Sequence, residues 1–143
     1  MRFTIDEAAR ATGGSFSIDP VSDQMEITSL TWDSRSVEPG ALYVALPGER
    51  VDGHAFAASA VAAGAVCVLA QHALDQASAD QIAAAGAAVI QVPDTQAAVT
   101  ALARAWRDRL EGRVIGITGS TGKTTTKNLV RDVLVAAGSV CAT

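Results

Sequence analysis

Two uninterrupted apolar runs, AVCVLA at 65–70 and AVIQV at 88–92, each preceded by an alanine-rich segment, constrain this 143-residue chain more than any other feature. A strand that alternates polar and apolar residues can lie with one face in water. One that is apolar at nearly every position must be covered on both faces, and helices are what cover a parallel sheet. The segments 54–64 and 75–85 read as those helices, so the chain reads as parallel βαβ units in an α/β fold. Composition agrees: 49% of residues are hydrophobic but only 4% aromatic, leaving mainly Ala and Val to pack between helix and sheet.

Upstream, MEITSLTWDSR at 25–35 mixes β-branched and polar residues, and ALYVAL at 41–46 lies between Pro39-Gly40 and Pro47-Gly48. Both read as strands ended by turns. Thr4 and Glu7 have the spacing of a capping box, with Gly13-Gly14 as a stop, which predicts a short first helix. Pro93 then interrupts, and Asp94 can cap a helix in which Val99, Leu102, Trp106 and Leu110 share one face. The expected boundary follows at 92/93: residues 1–92 as a small mixed-sheet domain, residues 93–143 as the start of a second.

The longest apolar stretch, Ala55 to Ala70, is too short and too rich in Ala and Gly to span a bilayer. The N-terminus carries acids where a signal peptide needs a basic start. A cytoplasmic protein is expected. Cys67 and Cys141 lack any metal or disulfide spacing and read as incidental thiols, and His72, with no motif around it, reads as a surface residue. The net charge of −4 argues against a nucleic-acid partner. It is unevenly spread: residues 1–93 hold 4 basic and 11 acidic groups, net −7, and residues 94–143 hold 7 and 4, net +3. Either a phosphate ligand in the second segment or ordinary variation between two modules accounts for that.

The second segment contains GITGSTGKTTTK at 116–127. RVIGI at 113–117 reads as a buried strand, the glycines as a tight loop, and Lys123 onward as a helix with Leu129, Val130, Val133 and Leu134 on its buried side and Gly138 as its stop. Strand, glycine loop and helix are the setting of a phosphate-binding loop. Glycines let backbone N–H groups approach phosphate oxygens, and the helix start adds partial positive charge. Lys123 would neutralise the β and γ phosphates and the Thr124 hydroxyl would complete the shell of Mg²⁺. The common GxxxxGK[ST] pattern is not met, because its first glycine position is Ile117. From the loop alone, any enzyme acting on a nucleoside triphosphate remains open.

TGSTGKTTTK, together with DSRSVEPGALYVALPGERVDGHAF at 33–56, resembles the Mur ligases, ATP-dependent amide-forming enzymes of peptidoglycan precursor synthesis, over nearly all of the chain. Among its branches the resemblance is greatest to MurF, which joins D-alanyl-D-alanine to UDP-N-acetylmuramoyl-tripeptide. It rests on TGS in the loop, on Lys127, and on VPDTQAAVTALARAWR at 92–107. The MurE branch, which adds the third amino acid, shares the DSR and DGH elements; a free-standing nucleotide-binding module is the other alternative.

The resemblance implies a UDP-substrate domain, here residues 1–92, then an ATPase domain of which 93–143 are only the beginning, and a third domain without counterpart in this sequence. A chain of this extent is therefore expected not to ligate by itself. ATP and Mg²⁺ are the implied cofactors. Gly119, Ser120, Thr121, Gly122, Lys123, Thr124 and Thr125 would hold the phosphates, with Lys123 in the catalytic role and Thr124 on the metal. Ser34 and Arg35 of DSR and Asp52, Gly53 and His54 of DGH would approach the uridine diphosphate. Read from the residues, Ser34 and His54 can hydrogen-bond a base or a phosphate and Arg35 can grip phosphate in a fork. Equally, Asp33 and Asp52 can be turn formers with Arg35 paired to one of them. Lys127 either faces the loop or is a solvated helix residue.

Overall fold

The computed structural model describes residues 2–22, 24–48 and 51–142; Glu49 and Arg50, inside the second quoted motif, lie outside them. In chain order the elements are β1 (Phe3–Thr4), α1 (Ile5–Thr12), β2 (Ser15–Ile18), β3 (Glu26–Ile27), β4 (Ser29–Thr31), β5 (Ala41–Val44), a 3-10 turn (Gly53–Phe56) running into α2 (Ala57–Ala62), β6 (Ala65–Ala70), α3 (Gln76–Ala84), β7 (Ala88–Gln91), α4 (Thr95–Asp108) and α5 (Lys123–Val135). They fall into two compact units, Met1–Arg109 and Leu110–Thr143.

The first unit is built on a five-stranded sheet in the order β2-β7-β6-β5-β4. β4 to β7 run parallel and β2 lies antiparallel on the β7 edge. The apolar runs are covered on both faces, as their composition requires. On one side Leu42, Val44, Cys67, Leu69, Ala88 and Ile90 pack with residues of α1 and α4. On the other, Tyr43, Ala45, Val68, Ala70 and Val89 pack with residues of α2 and α3. Leu42 and Leu69 are fully buried, each contributing about 1.5–3 kcal/mol of transfer free energy. The capping box forms: Glu7 Oε2 accepts from the Thr4 N–H at 2.9 Å and Thr4 Oγ1 from the Glu7 N–H at 3.2 Å. Asp75 and Asp94 cap α3 and α4 one way, their carboxylates accepting from the N–H of Ser78 and from those of Gln96 and Ala97.

The first compact unit runs past residues 92/93 to Arg109, because the apolar stripe of α4 finds its core here. Ala98 and Leu102 are buried with Ile5 and Ala8 of α1, and Trp106 meets Phe3 edge to face at 5.7 Å. Arg109 closes the helix end, its guanidinium 4.4 Å from the Phe3 ring centroid and 2.9 Å from the Glu7 carboxylate. Leu110 lies past the helix, half exposed, and is not part of that stripe. The strand β2 has no counterpart among the sequence expectations.

In the second unit α5 forms over the expected residues, but RVIGI is not a strand, with Val114 61% and Ile115 57% exposed. Leu129 and Val133 of α5, expected to be buried, are 62% and 72% exposed. A strand satisfies its backbone only through a neighbouring strand, and a helical stripe is buried only by a facing surface. Among the described residues this unit has one helix and no strand.

Candidate functional site

Because β4, β5, β6 and β7 are parallel, the segments that follow them emerge at one edge of the sheet. These segments begin at residues 32, 45, 71 and 92. The carboxyl edge of parallel strands is where open α/β sheets bind ligands. The DSR and DGH motifs, far apart in sequence, meet there.

A cleft of about 630 Å³ at this edge is lined by Ser34, Arg35 and Gly53, with Trp32, Asp33, Tyr43 and Phe56 among its walls. Arg35 is 88% exposed and forks onto Asp33, Nε to Oδ1 at 2.9 Å and an Nη to Oδ2 at 2.8 Å. Of the two readings of Arg35, this ion pair is the one present. The fork, with the Arg35 backbone N–H, holds the Asp33 carboxyl down to about 2. Three guanidinium N–H groups remain for an anion in the cleft. Gly53 is fixed from both sides: its N–H donates to Leu46 O at 2.9 Å and its carbonyl accepts from the Tyr43 hydroxyl at 2.9 Å. A Cβ there would lie 2.8 Å from the backbone N and O of Leu46, so only glycine lets the two stretches approach.

Asp52 and His54 stand behind this wall. His54 is buried, 4% exposed, and its Nε2 accepts from the Gln71 N–H at 2.9 Å. The ring proton therefore sits on Nδ1, which donates to Asp52 Oδ1 at 2.6 Å. The His72 ring stacks on His54 with centroids 3.6 Å apart, and its Nε2 meets Asp52 Oδ2 at 3.0 Å. The backbone N–H of His54 and then its ring hold the Asp52 carboxyl down to about 2. His54 thus ties the segments after β5 and β6 together, with both ring nitrogens engaged by the protein. Asp52, His54 and His72 bring three possible metal ligands within 4.8 Å. A metal on His54 Nδ1 would leave Nε2 protonated and facing the Gln71 N–H, so the arrangement suits a hydrogen-bonded clamp. His72, read from sequence as a surface residue, is half exposed but belongs to this clamp. The signal for it was its place directly after an apolar strand, at the carboxyl edge.

In the second unit the residues Gly119 to Thr125 are all exposed. Gly122 initiates α5 at φ 74°, a left-handed conformation natural only to glycine, and no side chain caps the helix. The Lys123 ammonium folds over the loop to donate to Gly119 O at 2.6 Å. Added Cβ atoms at Gly119 or Gly122 would meet nothing closer than 3.5 Å. An uncapped helix start, a lysine and a roomy glycine loop form a donor set that fits a polyphosphate, and the Thr124 hydroxyl beside it fits a hard cation.

Comparison with known proteins identifies the family of the chain. The model of the Mur ligase family, catalytic domain, matches residues 26–107. The UDP-N-acetylmuramoyl-tripeptide–D-alanyl-D-alanine ligase of Bacillus subtilis is 37% identical over 131 residues, which is 92% of this chain and 27% of that protein. The UDP-N-acetylmuramoyl-L-alanyl-D-glutamate–2,6-diaminopimelate ligase of Solibacter usitatus is 42% identical over 125 residues, 86% of this chain and 24% of that protein. The crystal structure of MurF from Acinetobacter baumannii superimposes with a TM-score of 0.79 at 33% identity, covering 95% of this chain and 28% of that one. The chain spans about a quarter of the length of the curated relatives it matches. Matched by the family model over more than half its length, the chain belongs to the Mur ligase family.

Proposed function

We propose that this chain carries the UDP-sugar cleft and the phosphate loop of a cytoplasmic ligase that joins D-alanyl-D-alanine to UDP-N-acetylmuramoyl-tripeptide. The observation that carries the reading is the convergence of Ser34, Arg35 and Gly53, from two separate motifs, on one cleft at the carboxyl edge of the sheet. Arg35 offers its remaining N–H groups to the diphosphate and Ser34 a hydroxyl; Asp52 and His54 hold Gly53 in place rather than touching the substrate. In the loop, Lys123 and the first-turn N–H groups of α5 would hold the β and γ phosphates of ATP, and Thr124 the Mg²⁺ ion. ATP and Mg²⁺ held there would supply phosphoryl transfer to the substrate carboxylate, leaving ADP and activating that carboxylate towards the amine of the incoming dipeptide. Lys123 serves this chemistry by balancing negative charge that accumulates at the transferred group.

A second reading, addition of the third amino acid instead of the dipeptide, is favoured by the 42% identity to the diaminopimelate ligase. Ligation assays on the full-length gene product, offering each amine with Mg-ATP, decide between them. For the cleft itself the test is calorimetry with UDP. Wild type is expected to bind, Arg35→Ala to bind about 10-fold more weakly, a loss of about 1.4 kcal/mol, and Lys123→Ala to bind UDP as wild type does. An Arg35→Ala variant with undiminished affinity would remove the basis for the reading.

A further inference from the structure

The two residues that follow β6 reach the back of the cleft wall and not the cleft itself. Gln71 gives its backbone N–H to His54 Nε2, and His72 meets Asp52 at the other end of the same assembly. The Asp52 carboxylate divides its oxygens between the two rings. Oδ1 accepts from the His54 backbone N–H at 3.0 Å and from the His54 ring at 2.6 Å, while Oδ2 faces His72 Nε2 at 3.0 Å. A carboxylate only accepts, so His72 Nε2 carries the hydrogen. Held at one oxygen, a carboxyl group can still turn about its last torsion, where the wells are broad; held at both, its plane is fixed. The stack on His54, 3.6 Å between centroids and 21° between planes, aims the His72 ring for that bond.

The orientation of this carboxylate is felt in the cleft within one residue. Asp52 caps the 3-10 turn, and Gly53, first in that turn, lines the cleft and accepts from the Tyr43 hydroxyl. The chain entering the turn has little burial of its own, with Val51 60% exposed, so the turn depends on its cap. Resting on the reading of the cleft as the site of the UDP-linked substrate, we infer that His72 is a positioning residue for that substrate: without touching it, His72 fixes Asp52 and, through Asp52, the Gly53 wall. The hydrogen bond to Asp52 carries the effect.

Two replacements separate the bond from the ring. His72→Phe keeps an aromatic face for His54 and offers Asp52 nothing; His72→Gln gives up the ring but can bring an amide N–H to where Nε2 stands. His72 is 53% exposed, so both variants should fold, which circular dichroism checks. In ligation assays on the full-length gene product, His72→Phe is expected to raise KM for the UDP-linked substrate about 5-fold, about 1 kcal/mol, with kcat and the KM for Mg-ATP unchanged. His72→Gln should recover most of that loss. A residue that merely supported the fold would instead lower kcat, through loss of folded enzyme, and leave KM alone. A second readout needs no ligand. Proton NMR of the chain should show the His54 Nδ1–H far downfield, as a 2.6 Å bond to a carboxylate demands, and this resonance should shift in His72→Phe and return in His72→Gln. An unmoved resonance, an unchanged KM in His72→Phe, or a glutamine no better than phenylalanine overturns the inference and leaves the reading of the cleft standing. A resonance that responds as expected in a chain that does not bind UDP overturns the reading of the cleft and, with it, the inference.

Discussion

The two units are both rich in apolar residues, yet they use them in opposite ways. In the first, Leu42, Leu69 and Ile90 are fully buried; in the second, Leu129 and Val133 on α5 and Val114 and Ile115 before the loop are more than half exposed. The contrast separates what is local in protein structure from what is not. A helix closes its hydrogen bonds within its own residues, so Lys123–Val135 forms although none of its residues is buried. A strand does not, so RVIGI remains irregular despite a composition as strand-like as that of AVCVLA.

Substitution at matched positions tests that contrast most strongly. Leu69→Ala is expected to destabilise the first unit by about 2–5 kcal/mol through lost burial and a residual cavity, whereas Leu129→Ala should stay within about 0.5 kcal/mol. Urea denaturation followed by circular dichroism measures both, and equal losses would erase the distinction. The glycines sharpen it. Gly53→Ala drives a methyl into the Leu46 backbone and should cost about 1–3 kcal/mol in the same assay. Gly122→Ala meets no neighbour and should act only on its own turn, seen as faster amide exchange at the start of α5 with an unmoved denaturation midpoint.

The smallest effect concerns charge. Asp52→Ala removes the cap of the 3-10 turn and the acceptor for both histidine rings, at a cost of about 1 kcal/mol near neutral pH. Since the folded carboxyl sits at about 2 against an ordinary 3.8, its contribution is present above 3.8 and disappears as pH falls through about 2. Melts of wild type and Asp52→Ala should therefore converge on acidification. The exposed Asp132, paired with its neighbour Arg131, is the counterpart in the second unit; Asp132→Ala should leave the midpoint where it was.

The parallel strands were legible because burial on both faces leaves a continuous apolar run, and the caps at Thr4 and Asp94 were legible because their partners lie within three residues. The edge strand β2 was not. Ser15-Phe16-Ser17-Ile18 is short and half polar, and its partner is β7, more than seventy residues away. The same holds for the site. DSR and DGH were identifiable as motifs, but that His54 faces inward while His72 stacks on it depends on how the ends of β5 and β6 are aligned. The apolar stripe of α4 was visible in the spacing of Val99, Leu102 and Trp106, but not which core would claim it.

The pairing of Ser15–Ile18 with Ala88–Gln91 also orders events in time. On a ribosome the first strand of the large sheet is made early and must wait until some seventy further residues have emerged before its partner exists. During that interval Phe16 and Ile18 are open to wrong associations, which end when β7 emerges and the two edges pair. Deleting the first eighteen residues would thus expose a raw sheet margin, and self-association should be its first symptom.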